Sequence, residues 1–510
     1  MRALLSAYDK TGIADFARGL AELGWDLVAS GGTASQLEAE GLGVTRVEEL
    51  TGFAEMLGHR VVTLHPAVHG GILARRDVEA DVADLIEHGI EPFDLVCVNL
   101  YPFEQTIAAP DVTHADAIEK IDVGGPAMLR AAAKNHAHVI PLCRPADYDR
   151  VLSELRGGGV VTAETRSELA ARAFATTGAY DAAIASWLGH DDLPETLVPV
   201  FDRELRLSYG ENPHQRAAYY TERGAPTHLL AHVEQRHGKA LSFNNLNDLA
   251  AARRLADALD DQPACVIVKH ANPCGVALAA TIEEAYAKAL DADPVSAYGG
   301  VVVLTRGVTG KLGEALAEQF VEVLLAPGYD DASFAALTRK PGTRILDDRG
   351  QRSARPVEVD YKRVPGGLLV QDRDATADQR AEMEAVCGTV DESRWADLLF
   401  AWTVVRHVTS NAIVIVRGGQ TLGIGGGQVS RVDAVRLAVE KAREHGHSLA
   451  GATLASDAFF PFPDGVQLAL DAGVDVVIQP GGSKRDADVV AAAEAAGAAM
   501  VFTGRRHFRH

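Results

Sequence analysis

The segment Cys265-Val266-Ile267-Val268-Lys269-His270-Ala271-Asn272-Pro273-Cys274-Gly275 ends a buried-type strand in two adjacent cationic side chains and then turns at Asn-Pro and Gly. The chain has only 11 Lys among its 510 residues, so a lysine inside a motif carries weight. His270 can accept a proton near neutral pH, and Lys269 can hold a developing oxyanion. Pro273-Cys274 matches half of a zinc-deaminase signature. The second Cys and the His-x-Glu are missing, which disfavours zinc deamination.

A second group of residues suits an anion. Ser30-Gly31-Gly32-Thr33 lies between a predicted strand and a predicted helix, where free backbone N–H groups and the helix dipole converge and glycine admits close approach. Lys10 closes the turn after the neighbouring strand, and Ile121-Asp122-Val123-Gly124-Gly125-Pro126 makes a third such turn. One Gly-Gly turn alone is more often a plain connection. Three of them at strand ends of one small sheet, beside a scarce Lys, point to a phosphate. No Gly-x-x-x-x-Gly-Lys-[Ser/Thr] is present, and Gly423-Ile424-Gly425-Gly426-Gly427-Gln428 lacks the last glycine of a dinucleotide fingerprint. Within His59–His69, three His lack a Cys or carboxylate at metal spacing, so a polar loop is the better reading than a metal site. Arg60 and Thr63 in that loop suit a phosphate or carboxamide. Asn99-Leu100-Tyr101-Pro102-Phe103 leaves a buried strand at its C-terminal end, and Lys134 closes an Ala-rich helix, where it could simply complement the dipole. Ser456-Asp457-Ala458-Phe459-Phe460-Pro461-Phe462-Pro463-Asp464-Gly465 sets three Phe between two Asp. It reads equally as core with a capped helix or as an aromatic wall for a flat heterocycle.

The elements that position these residues alternate strand, loop and helix. Arg2–Ser6, Trp25–Ala29, Leu95–Asn99 and Val139–Cys143 are expected strands and 13–23 an amphipathic helix, which predicts a parallel sheet with helices on both faces. Residues 150–188 read as all-helical. The polar, proline-bearing stretch from His190 to Pro199 marks a domain boundary, giving domains 1–195 and 196–510. The second half carries buried strands at Cys265–Val268, Gly300–Leu304, Ala412–Val416 and Val474–Ile478. The stretches 265–304 and 412–460 share the order strand, loop, helix, strand, a faint sign of duplication. Residues 340–360 read as a surface excursion.

Net charge is −21, from 49 Lys plus Arg against 70 Asp plus Glu. That argues against nucleic-acid or acidic-membrane partners while leaving room for a small anionic substrate. No apolar run reaches membrane-span length. Met1–Ser6 reads as a first strand rather than a signal peptide, and five scattered Cys fit a reducing cytoplasm.

In order along nearly the whole chain, these segments resemble the bifunctional purine-biosynthesis family that joins 5-aminoimidazole-4-carboxamide ribonucleotide formyltransferase to inosine monophosphate cyclohydrolase. The resemblance is carried by Asp9-Lys10-Thr11-Gly12, Gly52-Phe53, Thr63-Leu64-His65-Pro66, the Asn99–Phe103 run, Ala131–His136, Tyr209-Gly210-Glu211-Asn212-Pro213-His214-Gln215, Lys269-His270 and Asp457–Phe462. It implies an α/β protein with an N-terminal methylglyoxal-synthase-like cyclohydrolase domain. It implies a C-terminal transformylase domain of two cytidine-deaminase-like lobes without zinc, which fits the faint duplication. It further implies a homodimer with sites built from both subunits and 10-formyltetrahydrofolate as co-substrate, and it leaves open a structural potassium ion near Asp457. By this resemblance His270 takes the proton of the substrate amine and Lys269 stabilises the oxyanion. Tyr209, His214, Gly299, Asn411, Arg431, Phe459, Asp464 and Arg506 hold the two substrates. In the first domain Lys134 is the acid/base for ring closure with Tyr101 and Asp122 beside it, while Lys10, Ser30, Gly31, Gly32, Thr33, Arg60, Thr63 and Asn99 contact the nucleotide.

Two positions depart from the family pattern. Val62 stands where the family has Lys, and Ser208 where it has Arg. Each removes a cation from an expected anion site, so a transformylase with impaired cyclisation stands as the alternative reading.

Overall fold

In the computed structural model, which describes every residue except His59, His190, Asp192, Pro226, Asp260, 350–358 and Ala377, the chain divides into two compact units, Met1–Val200 and Phe201–His510. The surface excursion expected at 340–360 is not one where it is described, since Arg344–Asp348 is a buried strand. Its residues 350–358, the first histidine of the His59–His69 run and two positions of the boundary stretch lie outside the described residues.

In the first unit the apolar runs become strands β1 (Arg2–Ala7), β2 (Asp26–Ala29), β3 (Thr45–Arg46), β4 (Leu95–Asn99) and β5 (Ile140–Leu142). All pair parallel in the order β3–β2–β1–β4–β5. The chain builds outward from β1 to β3 and then returns to β1's other side for β4. That reversal opens a crevice at the carboxyl ends of β1 and β4, where open parallel sheets bind ligands. One face of the sheet is covered by the helix Ile13–Glu22, which buries Ile13, Phe16, Ala17 and Leu20 at helical spacing. The other is covered by the helix Gly124–Lys134 through Met128, Leu129 and Ala132. The expected helical stretch 150–188 is two helices, Tyr148–Gly158 and Ala163–Leu188, parted at Gly159 with φ 73°.

The second unit opens with an antiparallel hairpin, β6 (Phe201–Arg206) and β7 (Ala218–Glu222). Its first lobe contributes β8 (Val233–His237), β9 (Ala264–Lys269), β10 (Asn272–Leu278), β11 (Gly300–Leu304), β12 (Val321–Ala326) and β13 (Arg344–Asp348). A second hairpin follows, β14 (Val359–Val364) with β15 (Gly367–Asp372). The second lobe contributes β16 (Glu384–Cys387), β17 (Ile413–Arg417), β18 (Gln420–Gly425), β19 (Ala452–Ser456), β20 (Val474–Gln479) and β21 (Ala499–Phe502). The twelve lobe strands form one sheet, ordered β16–β21–β20–β19–β17–β18–β10–β9–β11–β12–β13–β8.

Each lobe is an edge strand, a helix, a hairpin and three further strands. The two meet where β10 pairs antiparallel with β18. The duplication is therefore larger than the stretches 265–304 and 412–460, and the segment read as a loop after Lys269 is strand β10. Pro273 and Gly275, both unfavourable inside strands, disguise it, and the register of β10 against β9 shifts between them. Gly275 and Gly423 are counterparts. A Cβ on either would lie 1.9 Å from the Ala289 carbonyl oxygen or 2.0 Å from that of Ala438, so both are glycine because a helix backbone passes directly over the strand.

Because β9, β10, β18 and β17 alternate in direction, β9 ends on the rim of the sheet where β17 begins. β19, antiparallel to β17, ends there too. The first lobe's hairpin turn and the second lobe's strand-to-helix connections thus share one rim.

Candidate active sites

In the crevice of the first unit, Asn99 at the end of β4 accepts the N–H groups of Tyr8 (2.5 Å) and Asp9 (2.9 Å) and donates to the Asp9 carbonyl (2.8 Å). It ties the loop after β1 to β4. Lys10 Nζ donates to Thr33 Oγ1 at 2.7 Å and to the Ala7 carbonyl, and burial holds its pKa below the usual lysine range. Thr33 Oγ1 also accepts the Ala7 N–H at 3.0 Å. Ser30 donates to Ser6 Oγ at 2.7 Å. Beside them, a Cβ on Gly31 or Gly32 would find no atom within 4 Å, so the start of the helix Gly31–Ala39 offers unobstructed backbone N–H donors.

The glycine pair that begins the helix Gly124–Lys134 makes room for two polar side chains. A Cβ on Gly124 would lie 2.7 Å from Thr63 Oγ1, and one on Gly125 2.3 Å from Asp122 Oδ2. Asp122 accepts the Gly125 N–H at 2.8 Å, and burial pushes its carboxyl above the usual range. Tyr101 stands edge-on to Tyr8, ring centroids 5.2 Å apart. Burial, and then the Asp122 charge, push its phenol up. Tyr101, Asp122 and Thr63 thus gather at one end of this helix. Lys134 does not join them: it is exposed in the last turn of that 11-residue helix, about 15 Å along the axis from the first. Arg60 is turned to Glu119, its Nε 3.1 Å from Oε1, on the surface. Val62 packs against the core that includes Leu4, Val28 and Val68, as do Leu50 and Leu100, so its side chain lies with apolar neighbours rather than with an anion site.

On the rim of the second unit, β9 and β10 are joined by a turn at His270 (φ 54°) and Ala271 (φ 59°). A tight hairpin with both central residues at positive φ normally takes Asn-Gly or Gly-Gly. Here two side-chain-bearing residues adopt it, at a cost of about 1–3 kcal/mol each. Asp248, in the helix Phe243–Asp257, accepts the N–H of His270 (3.3 Å) and of Ala271 (2.7 Å). The exposed His270 imidazole stands at the turn. Lys269 Nζ donates to the carbonyls of Tyr298 (3.0 Å) and Gly299 (2.8 Å), which leaves the third of its three protons for another acceptor. Gly299 has φ 66°, and a Cβ there would come within 3.2 Å of that ammonium, which accounts for glycine at this position.

Asn272 accepts the Thr409 N–H at 2.8 Å and so joins this turn to the loop that carries Asn411. Arg431 donates to Asn411 Oδ1 (2.8 Å), to the Ala412 carbonyl (2.8 Å) and to the fully buried Asp457. A cavity of about 460 Å³ opens there, lined by Asn411, Arg431, Phe459, Phe462, Asp464 and Arg506. Asp464 is exposed and accepts the Gly465 N–H at 2.8 Å, and Arg506 lies over the Phe508 ring at 4.7 Å. A second cavity of about 270 Å³ runs from Lys269 and His270 past Asn272 to Asp293 and Lys441. Tyr209 is half-buried, its carbonyl accepting the Phe243 N–H at 3.1 Å, and His214 is exposed. Ser208 donates to the Leu241 carbonyl at 3.2 Å, so the position that departs from the family pattern has its hydroxyl engaged by backbone.

A structural potassium ion near Asp457 would share that carboxylate with three protein donors. Oδ1 accepts the Ala412 N–H and Arg431, and Oδ2 accepts the Ser410 hydroxyl. Among the described residues no group of three or more His, Cys, Asp or Glu could hold a metal.

Sequence reasoning missed three groups. Asp248 is the first. Asp293 is the second: it bridges the lobes by accepting Lys441 Nζ at 3.0 Å, with His445 Nε2 at 3.2 Å. The third is His507, buried between Asp374 (2.5 Å) and Asp378 (2.7 Å), which anchors the tail bearing Arg506. Asp248 had a signal. Aligning the lobes pairs it with Asp397, which accepts the N–H groups of Gly418 and Gly419, both at 2.9 Å, in the matching turn.

Comparison with known proteins returns two family models. One described as AICARFT/IMPCHase bienzyme matches residues 132–441, more than half of the chain. One described as MGS-like domain matches residues 12–127. A solved structure described as "Crystal structure of ForH" is 47% identical, with 37% of this chain and 99% of that chain covered at a TM-score of 0.34.

Proposed function

The chain belongs to the AICARFT/IMPCHase bienzyme family and is a formyltransferase and cyclohydrolase with a folate-type formyl donor, and we propose that it formylates 5-aminoimidazole-4-carboxamide ribonucleotide from 10-formyltetrahydrofolate at the Lys269–His270 rim and closes the ring to inosine monophosphate in the Tyr101–Asp122 crevice. The observation that carries this reading is the meeting, on one rim, of a proton acceptor, a cation with a proton to spare and the Arg431–Phe459 cavity. The substrate amine attacks the formyl carbon. His270 takes the amine proton, and the third Lys269 proton meets the tetrahedral oxyanion. The bond from that carbon to N10 then breaks, and N10 regains a proton.

In the crevice the carboxamide nitrogen attacks the formyl carbon of the same molecule and water is lost. The step is intramolecular, so positioning supplies much of the rate. Lys10 and the open helix start at Gly31 hold the phosphate, while Asp122 and Tyr101 move protons. A homodimer fits the exposed Val429, Phe462 and Phe508 around the cavity, which a second copy would cover. Cytoplasmic residence fits five free cysteines, and no described helix is long and apolar enough to cross a membrane.

The test is to mix purified protein with the aminoimidazole nucleotide and 10-formyltetrahydrofolate and identify the product by mass. Closed inosine nucleotide is expected. Accumulation of the open formyl nucleotide would assign only the first step, and unreacted nucleotide would refute the reading.

A further inference from the structure

We propose that Asp248 is a positioning residue for formyl transfer: from the helix Phe243–Asp257 its carboxylate clamps the backbone of the His270–Ala271 turn in the left-handed conformation that presents His270 at the rim. The proposal rests on the reading of that rim as the transfer site. Asp248 accepts the two turn N–H groups at 3.3 and 2.7 Å. These are bonds to backbone, so it acts through geometry and not by relaying the imidazole proton.

The second lobe supplies an internal control. Asp397, in the helix Glu392–Val405, accepts the same two N–H groups of the turn Gly418–Gly419. Arg417 donates to the Ser448 and Ala450 carbonyls at 2.8 and 3.0 Å, as Lys269 donates to those of Tyr298 and Gly299 at 3.0 and 2.8 Å. The frame is one device used twice, with one difference. Gly418 (φ 57°) and Gly419 (φ 70°) take the left-handed conformation at no steric cost, whereas His270 and Ala271, at φ 54° and 59°, carry a Cβ that opposes it. Where the turn carries a working side chain, the same carboxylate clamp also has to hold a conformation that glycine adopts freely in the other lobe. The counterpart turn lies on the opposite rim and has no side chain to act with, which explains one reactive turn per chain.

The experiment measures formyl-transfer kinetics of the full chain carrying Asp248→Asn, which keeps one acceptor oxygen and loses the other. The expected result is a kcat lowered about 10- to 100-fold, as for a catalytic group displaced by about an ångström, with both KM values little changed. The His270 and Ala271 amide protons should exchange faster than in the parent. The double variant Asp248→Asn/Ala271→Gly should regain most of the lost kcat, because glycine takes positive φ without the clamp. Asp397→Asn should transfer formyl at the parent rate. A loss in KM instead of kcat, no rescue by glycine, or unchanged amide exchange would overturn the proposal. If Asp248→Asn does not fold, Ala271→Gly alone still tests the strained turn: a raised thermal midpoint supports it, and an unchanged or lower one overturns it. Parent enzyme that transfers no formyl group would refute the reading of the site instead, and amide exchange would still report on the clamp.

Discussion

Asp122 pits stability against chemistry. Burial raises its carboxyl pKa, with the Gly125 N–H bond working against that shift. For an acid whose folded pKa is raised, the folded state binds protons more tightly than the unfolded state. The stability it contributes is complete below the ordinary Asp range and is lost as pH rises through the raised value. Asp122→Asn keeps an acceptor for Gly125 and removes the buried charge. The expected outcome is a higher thermal midpoint at neutral pH, a gain that shrinks as pH falls through the raised value, and a cyclisation rate lower by about 10²-fold or more. Thermal melts across pH beside cyclisation kinetics check both halves. Val62 is the opposite case. A cation there is worth about 1.5–3 kcal/mol only if it reaches the anion, and the side chain instead packs with core residues. Forcing a longer, charged side chain into that contact costs about 1–3 kcal/mol. Val62→Lys should therefore lower the melting temperature and leave inosine monophosphate binding no tighter, as calorimetric titration would read.

The elements that were legible in the sequence are those specified by local pattern. Leu95–Asn99 is a strand because four of its five residues are buried in both faces of a parallel sheet, and Ser30 precedes a helix because the glycines after it open the turn. Illegible elements depend on partners remote in sequence. Strand β8 reads Val-Glu-Gln-Arg-His, mostly polar, and exists because it pairs antiparallel with β13 more than 100 residues later. Strand β10 hides behind Pro273 and Gly275, and the glycine has its reason in the Ala289 carbonyl. Gly275→Ala and Gly423→Ala then make a paired test of the duplication. Each drives a Cβ into helix backbone, and each should cost about 3 kcal/mol or more, read as a lowered denaturant midpoint of the second unit. An exposed, open glycine such as Gly446 should tolerate alanine far better, at the cost of its φ of 79° alone.

At the scale of the whole molecule, each of the two units Met1–Val200 and Phe201–His510 has its own sheet and its own buried cores. The proposed proton acceptor for transfer is in the second, and the proposed proton groups for closure are in the first. The product of the first chemistry is the substrate of the second, and nothing in either reaction requires both sites in one chain. His270→Ala should therefore abolish formyl transfer and still close supplied formyl nucleotide at the parent rate, while Asp122→Asn should transfer formyl and let the open nucleotide accumulate. Mixed in one vessel, the two variants should convert the aminoimidazole nucleotide to inosine monophosphate after a lag. That lag should shorten as the His270→Ala protein is increased, because free intermediate must build up before it is captured. A mixture that makes no inosine monophosphate, although each variant retains its own activity, would mean that the open nucleotide stays bound to the Asp122→Asn protein and does not pass through solution. A His270→Ala protein that is folded yet closes no ring would mean that the two chemistries share residues across the units.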